Sequence, residues 1–250
     1  MRQLQILGDR WSVVGASVPG ESHRRAGTGG QDWFDARVEL AGVVAVVGDG
    51  LGSRPHSDIG SRVATETFTD VVAAALANAP RTEAGWATLF TRALASCVDE
   101  LERHADAAGC PLADLSTTLL AAVVTDNVTA TYQIGDGAIV LVVDDRPVRV
   151  PGGAGGEFVN ITETIFSHSN PAMSLRWRSD VREVALITDG LERISIDLAT
   201  GYPSERFFRP FWNNTPTPGA DDELTDWLVS PLVAQRADDD LTLVTAVRHR

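Results

Sequence analysis

The segment Gly42-Val43-Val44-Ala45-Val46-Val47-Gly48-Asp49-Gly50 is a run of apolar and glycine residues that ends at an acidic residue and a further glycine. Short, β-branched runs bounded by Gly and Asp are typical of buried strands. A carboxylate at the end of a buried strand is attached to stiff backbone and is therefore held in one direction. The segment predicts a core strand with the Asp49 side chain fixed at its end.

The same pairing of an acidic residue with an apolar run recurs along the chain. Asp32 precedes a predicted hairpin over residues 34–47, Asp189 closes one apolar run, and Asp239 precedes another. Taken singly, an Asp-Gly pair is an ordinary turn dipeptide. Several carboxylates directed at one point repel one another unless a cation lies between them, because desolvated like charges are costly. The set therefore indicates a divalent-metal site built from oxygen ligands.

Around these residues the sequence predicts strands, a pair of helices and further strands, which is an α+β layered architecture. The predicted strands cover residues 11–17, 34–47, 119–124, 128–134, 138–143, 181–188 and 241–247, and the helices cover 59–76 and 86–101. The three strands within 119–143 are interpreted as an antiparallel meander, and residues 151–156 as a glycine-rich connection. Because the four aspartates span the chain and need one another, we expect a single domain over residues 1–250.

Composition excludes several classes of function. The chain has 250 residues, 44% of them hydrophobic, and a net charge of −13, which argues against nucleic acid or an anionic membrane surface as a partner. Residues 1–11 do not resemble a signal peptide, and no stretch reaches the roughly 18 apolar residues of a membrane span. The two cysteines, Cys97 and Cys110, suit reduced thiols, so a cytoplasmic protein is expected. The scattered histidines favour magnesium or manganese over zinc.

Six short motifs, in a fixed order over roughly residues 10–247, connect the chain to a known family. They are Gln31-Asp32, residues 46–53, Ser116-Thr117-Thr118, residues 134–137, residues 188–191 and residues 239–242. On these motifs the sequence resembles the metal-dependent protein phosphatases, the type 2C Ser/Thr phosphatase family. The segments 50–64 and 157–160 resemble a bacterial subgroup of stand-alone phosphatases. The resemblance implies a four-layer αββα fold, a central antiparallel β-sandwich flanked by helices on both faces.

The resemblance also implies two Mn²⁺ or Mg²⁺ ions at one edge of the sandwich. Asp49 would bridge both ions, and the Gly50 carbonyl would bind one of them. Asp189 and Asp239 would complete the second ion's ligands, and Asp32 would bind metal or orient its water. Some bacterial members hold a third ion through an aspartate just before the central motif, and Asp114 is the candidate here. Asp136, in a glycine-flanked turn, is assigned a structural role.

A cationic group at the phosphate is usual in the family, and three residues before Gln31 could supply it. Arg25 is the preferred phosphate-binding residue, because a guanidinium can bind two phosphate oxygens. Arg24 beside it is the other candidate, and both arginines could equally be solvated. His23 could act as the general acid that protonates the leaving alkoxide.

The function implied is a protein Ser/Thr phosphatase that hydrolyses phosphoserine and phosphothreonine by attack of a water activated at the two-metal site. Its partners would be phosphorylated proteins and a cognate bacterial-type Ser/Thr kinase. One alternative is a pseudophosphatase that binds phosphorylated partners without turnover, although such a protein would not need all four aspartates. A phosphatase of small molecules is the other, and the sequence does not separate the two substrate classes.

Overall fold

The structure is a computed structural model that describes residues 1–152, 162–167, 171–177, 180–197, 199–234 and 237–249. Within these ranges the strands are β1 (Arg2–Leu7), β2 (Trp11–Val18), β3 (Trp33–Glu39), β4 (Gly42–Gly48), β5 (Leu119–Thr125), β6 (Val128–Ile134), β7 (Ala138–Val143), β8 (Arg146–Arg149), β9 (Ala172–Trp177), β10 (Glu183–Ile187) and β11 (Leu241–Arg248). The α-helices are α1 (Glu21–Ala26), α2 (Ser57–Ala75), α3 (Glu83–Ala108), α4 (Glu192–Ser195), α5 (Glu205–Asn214), α6 (Ala220–Val229) and α7 (Pro231–Ala234).

The strands form two antiparallel sheets that pack face to face. One sheet has the order β1-β2-β11-β10-β7-β8, and the other has the order β3-β4-β5-β6-β9. Apolar side chains from both sheets, among them Trp11, Phe34 and Leu186, interdigitate in a buried cluster between them. Alternation along each strand sends the other side chains outward, and there they require a second covering layer.

Helices supply that covering layer on both outer faces. Helices α2 and α3 cover the five-stranded sheet, where Phe68 and Phe90 pack against Tyr132 with ring centroids 5.7 and 5.1 Å from it. Helices α5 and α6 cover the six-stranded sheet, with Phe208, Trp212 and Leu224 in the buried cluster. The predicted four-layer αββα fold is confirmed.

The expected meander is wrong in one respect, because its third strand belongs to the other sheet. Strands β5 and β6 pair as predicted, but β7 pairs with β10 and β8. The crossing is made by Gly135-Asp136-Gly137, in which both glycines have positive φ, 89° and 91°. Such φ values are strained for residues with a Cβ, so two glycines here permit the sharp redirection of the chain.

Strands β1 and β9 and helix α1 are among the elements that the sequence analysis did not predict. Strands β1 and β9 lie at sheet edges and are only partly buried, so their apolar pattern is weak. The short helix α1 lies between the predicted strand at 11–17 and the predicted hairpin at 34–47. The glycine-rich connection falls largely outside the described residues, as does the 157–160 segment. None of the described helices has the length and apolarity that a membrane span requires.

The arrangement of strand ends determines where the site forms. Gly48 at the end of β4 lies opposite Trp33 at the start of β3. In the other sheet, Leu241 at the start of β11 pairs with Val18, and Leu243 pairs with Ile187 at the end of β10. Because the chains alternate in direction, the end of one strand and the start of the next meet at the same edge. The acidic residues that adjoin these ends are therefore brought together.

Candidate metal centre and active site

Asp32 is the most deeply enclosed of the predicted ligands, with 4% of its surface exposed. Its Oδ2 accepts hydrogen bonds from Thr188 Oγ1 at 2.6 Å and Thr242 Oγ1 at 2.8 Å. Its Oδ1 is buried and has no hydrogen-bond partner. Burial, followed by the charge of Asp240, raises the pKa of Asp32 well above its ordinary value, and the two threonine hydrogen bonds oppose this rise. One oxygen is thus fixed and the other is left for a ligand.

The backbone of Asp49 is held between strands by the central motif. Asp49 N–H donates to Thr118 Oγ1 at 2.9 Å, while Thr118 N–H and Thr117 Oγ1 both donate to the Asp49 carbonyl, at 2.8 and 2.9 Å. Gly50 pairs with Thr117 in an isolated bridge and is buried. A short strand extension therefore fixes Asp49 and Gly50 together, beside the end of β4.

The Asp49 carboxyl lies among other acidic groups. Burial raises its pKa well above the ordinary value, and the charges of Asp32, Asp189, Asp239 and Asp136 raise it further, in that order. Carboxylates clustered to bind cations repel one another in this way when the cations are left out of account. The fold therefore brings Asp32, Asp189 and Asp239 near enough to Asp49 for their charges to act on it.

Asp189 begins a 3₁₀ turn, Asp189–Leu191, directly after β10. Burial raises its pKa to about 6, with further contributions from the charges of Asp136 and Asp239, and a hydrogen bond with the Asp49 carboxyl offsets part of the rise. Asp189 Oδ1 is buried and has no hydrogen-bond partner. Like Asp32 Oδ1, it is a buried carboxylate oxygen that the described protein groups leave unsatisfied.

Asp136 lies closer to these carboxyls than its structural assignment suggested. After burial, its charge is the largest contribution to the raised pKa of Asp189. Although much of the residue is exposed, desolvation of its own carboxyl raises the pKa of Asp136. The unexpected crossing from β6 to β7 explains this placement, because it carries the turn to the edge where the other sheet's Asp189 lies.

The two neighbouring aspartates before β11 differ in environment. Asp239 is exposed at the rim, and its Oδ1 accepts from the backbone N–H of Asp240 at 2.9 Å. Asp240 is 3% exposed, and its carboxylate contacts His23 Nδ1 at 2.7 Å. His23 therefore lies beside the site and is held by Asp240, a residue that the sequence analysis did not select.

Arg25 and Arg24 do not contact the site carboxylates through any described hydrogen bond. Both guanidinium groups bond the Glu21 carboxylate within α1, at 2.9 Å for Arg25 and 3.0 Å for Arg24. The Arg25 side chain is 75% exposed. Because solvent screens exposed ion pairs, either arginine can exchange this partner for another anion at small cost.

Asp114 lies in the 3₁₀ turn Leu112–Leu115, on the other side of the loop that follows Gly50. Its carbonyl accepts from His56 N–H at 3.2 Å, and its Oδ1 is 3.9 Å from Arg54 Nη1. The charges that most raise the pKa of Asp49 do not include Asp114. Asp114 is therefore peripheral to the four-aspartate cluster.

The donor set suits hard cations. Among the described residues, no group of three or more His, Cys, Asp or Glu side chains already encloses a single ion position. The support for a cation comes from two observations, namely the unpartnered buried oxygens of Asp32 and Asp189 and the raised pKa values of Asp49 and its neighbours. Carboxylate and carbonyl oxygens are the ligands that Mg²⁺ and Mn²⁺ prefer.

Sequence reasoning missed Thr188, Thr242 and Asp240 as site residues, and it missed the contribution of Asp136. A signal was available for the threonines. Thr188 directly precedes Asp189, and Thr242 lies two residues after Asp240. Their hydroxyls fix one oxygen of Asp32 and so determine which oxygen faces the cluster.

A sandwich of this layering, with aspartates from both sheets converging at one edge, defines the class of metal-dependent phosphohydrolases that the motifs had suggested. The family model described as protein phosphatase 2C matches residues 19–229, and the chain belongs to that family. The resemblance stated from the motifs is confirmed, and with it the prediction of a protein phosphatase.

Individual relatives agree with the family match. The chain is 27% identical, over 253 aligned residues, to serine/threonine-protein phosphatase 3 of Escherichia coli (strain K12), covering 95% of this chain and 98% of that one. Among solved structures it is similar to serine/threonine phosphatase Stp1 from Staphylococcus aureus, with a TM-score of 0.66, 13% identity and coverage of 100% and 99%. It is also similar to the catalytic domain of the phosphatase PstP in complex with two manganese ions, with a TM-score of 0.61, 15% identity and coverage of 96% and 99%.

Proposed function

We propose that this protein phosphatase hydrolyses phosphoserine and phosphothreonine in proteins, with two Mn²⁺ or Mg²⁺ ions held by Asp32, Asp49, the Gly50 carbonyl, Asp189 and Asp239. The observation that carries the proposal is the pair of buried, unpartnered oxygens, Asp32 Oδ1 and Asp189 Oδ1, on two aspartates whose charges raise the pKa of Asp49. Unsatisfied buried carboxylate oxygens are costly, so they indicate a ligand.

When bound, the cations would supply Lewis acidity, which lowers the pKa of a bound water and neutralises phosphoryl oxygens. The protein's own contribution is positioning. Thr188 and Thr242 hold Asp32, and the strand extension holds Asp49 and Gly50. An acidic protein can bind an anionic phosphate in this way because the cations change the local sign of the charge.

Two further roles belong to the residues before Gln31. Arg25 would leave Glu21 to bind the phosphate oxygens of an incoming substrate, with Arg24 as the neighbouring alternative. His23 would donate a proton to the leaving oxygen. Asp114 would hold a third ion, and the Arg54 guanidinium 3.9 Å away is the charge that such an ion would have to displace.

We further infer that residues 1–250 act as a single phosphatase domain in the cytoplasm. The substrates would be phosphorylated proteins, with a cognate Ser/Thr kinase as the opposing enzyme and no nucleic acid or membrane partner. Motif residues from both ends of the chain at one site support the single domain, and the net charge of −13 supports the exclusion of nucleic acid.

The test compares the wild type with Asp49→Asn on a phosphothreonine peptide, in Mn²⁺, Mg²⁺ or EDTA. Asp70→Asn is the matched control, because Asp70 is an exposed aspartate on α2 that pairs with Arg37. We expect metal-dependent turnover in the wild type and in Asp70→Asn, and loss of about 10²-fold or more in Asp49→Asn. Turnover that persists in EDTA would contradict the metal role.

Thermal unfolding in EDTA and in Mn²⁺ distinguishes loss of the metal site from loss of the fold. In EDTA, Asp49→Asn should unfold at a higher temperature than the wild type, because it removes one of several repelling carboxylates. A gain of about 1 kcal/mol corresponds to roughly 2–4 °C for a chain of this size. Added Mn²⁺ should then stabilise the wild type much more than the variant. A folded wild type that binds phosphopeptide without any turnover would favour the pseudophosphatase.

A further inference from the structure

The buried carboxylate of Asp240 binds four donors that come from a distant part of the chain. Oδ1 accepts from Gly20 N–H at 2.7 Å and contacts His23 Nδ1 at 2.7 Å. Oδ2 accepts from Gln31 N–H at 2.5 Å and Asp32 N–H at 3.4 Å. One side chain thus connects helix α1 and the ligand segment at Gln31-Asp32 to the start of β11.

The donor pattern explains why an acid occupies this position. A carboxylate offers acceptors on both oxygens, whereas the amide of an asparagine presents a donor on one side. Here three backbone N–H groups and an imidazole nitrogen surround Asp240, so an amide would direct its NH₂ group at one pair of donors. Asp240 is only 3% exposed, and a misplaced donor there would stay unsatisfied.

His23 is the side chain of α1 that this arrangement fixes. Its ring is 20% exposed, and its neighbours Arg24 and Arg25 instead bond Glu21. In the imidazolium both ring nitrogens are donors, so Nδ1–H can bind the carboxylate and fix the ring orientation while Nε2–H stays free to donate. Within the described part of the chain, Nε2 has no hydrogen-bond partner.

We propose that Asp240 is a positioning residue that holds His23 by Nδ1 so that Nε2 delivers a proton to the leaving oxygen of the phosphoester. This proposal rests on the proposed function and deepens it. As the new bond from phosphorus to the water oxygen forms, the ester P–O bond breaks and its electron pair stays on the leaving oxygen. His23 acts as an imidazolium, with Nδ1–H on Asp240 and Nε2–H free. The Nε2 proton moves to the leaving oxygen to give the free alcohol, the attacking water releases one proton to solvent, and solvent reprotonates Nε2 before the next turnover.

The leaving group supplies the decisive test. Serine and threonine alkoxides are strong bases that need the proton, whereas para-nitrophenolate is a weak base that leaves without it. His23→Ala should lower kcat on a phosphothreonine peptide by about 10²-fold, within the range for a general acid, and on para-nitrophenyl phosphate by less than about 3-fold. Asp240→Asn should show the same selectivity with a smaller loss of about 10-fold. The double variant should show no greater preference for para-nitrophenyl phosphate over the phosphopeptide than His23→Ala, since Asp240 supports proton donation only through His23.

Controls distinguish positioning from folding. Asp238→Asn removes the same charge from an exposed neighbour and should retain activity on both substrates. His23→Gln can still donate to Asp240 and so keeps the link, but its amide cannot supply the proton, so it should match His23→Ala in selectivity while melting like the wild type. Nitrogen NMR of the His23 ring should show Nδ1 protonated in the wild type and a changed pattern in Asp240→Asn.

The outcomes separate this proposal from the function on which it rests. Equal losses on both substrates, a greater preference for para-nitrophenyl phosphate in the double variant than in His23→Ala, or an unchanged ring spectrum in Asp240→Asn would overturn the positioning role while leaving the phosphatase intact. A wild type that hydrolyses neither substrate with either metal would overturn the proposed function itself. Selective, non-additive losses together with the altered ring spectrum would establish the role of Asp240.

Discussion

Thr242 Oγ1 donates a hydrogen bond of 2.8 Å to Asp32 Oδ2 across 210 positions of sequence. Thr188 Oγ1 binds the same oxygen at 2.6 Å from the end of β10. The six-stranded sheet thus fixes a carboxylate that precedes a strand of the other sheet. With Oδ2 held twice, the unpartnered Oδ1 is presented to the cluster, so the orientation of a ligand depends on two hydroxyls.

Replacing Thr242 by valine keeps the shape of the side chain and removes one of these hydroxyls. We expect Mn²⁺ affinity to fall by about 10–100-fold, the usual effect of losing a group that orients a metal ligand. Isothermal titration calorimetry measures it. Thr245→Val is the matched control, because Thr245 is also buried on β11 but bonds Thr215. Equal losses in both variants would show that the effect is general strain in β11.

Gly50→Ala should damage the site, whereas Gly52→Ala should not. A Cβ on Gly50 would lie 2.6 Å from the Ser57 carbonyl oxygen and 2.8 Å from that of Gln31, both of them backbone atoms. On Gly52 the nearest atom would be 3.8 Å away. We expect a loss of about 1–3 kcal/mol in the free energy of unfolding for Gly50→Ala, and roughly 10²-fold in activity. Denaturant unfolding and peptide turnover measure the two effects, and equal behaviour of the two variants would contradict this account.

The turn between β7 and β8 contains a stabilising substitution. Asp144 and Asp145 have φ of 49° and 60°, in a two-residue hairpin loop closed by the pair Val143 and Arg146. Glycine adopts positive φ without the steric cost that a Cβ imposes. Asp145→Gly should therefore raise the free energy of unfolding by about 0.5–1 kcal/mol, and Asp145→Ala should lower it. Thermal melts compare the two, and changes in the same direction would argue against this explanation.

Cys97 should make the protein sensitive to alkali. Burial raises the pKa of its thiol from 9.0 to about 12. The thiol pKa is higher in the folded protein than in the unfolded chain. The contribution of the neutral buried thiol to the free energy of unfolding is therefore fully present below pH 9.0 and is lost as the pH rises towards 12. The loss amounts to roughly 1.4 kcal/mol per pH unit in that window. Denaturant unfolding at pH 8 and pH 10 should show a smaller decrease for Cys97→Ala than for the wild type.

A thiol reagent provides an independent check on the same side chain. Cys97 is fully buried within the α2–α3 layer, whereas Cys110 is half-buried after the end of α3. In the folded protein at pH 8, Cys110 should react and Cys97 should not, since a buried thiol is inert. Modification of two thiols without unfolding would contradict the burial of Cys97.

The sequence predicted the parts of the fold in which burial leaves a clear apolar pattern. The run ending at Asp49 and the apolar stripe through Trp86 and Phe90 are determined by burial, which leaves a clear pattern. Strands β1 and β9 have one covered face and one free edge, so composition alone does not distinguish them from loops. The crossing at residues 135–137 was missed because a tight glycine turn predicts a change of direction without specifying which sheet receives the next strand.

The site was predictable where its residues are motif aspartates and unpredictable where long-range contacts define them. Asp239 and Asp240 read as equivalent neighbours in the sequence, yet one lies exposed and the other is buried against Gly20 and Gln31. Those partners are 220 and 209 positions away. A local pattern carries no information about such distant contacts, so the role of Asp240 required the structure.

Strand β11 lies in the middle of its sheet, between β2 and β10, although it follows every other described strand in the sequence. During synthesis, β2 therefore lacks its partner β11 until more than two hundred residues have been made. Pairings of such long range are slow to form, and until then the edges of β2 and β10 are open to other chains. A nascent chain on the ribosome would accordingly be unable to dephosphorylate anything and would be most vulnerable to aggregation just before β11 emerges.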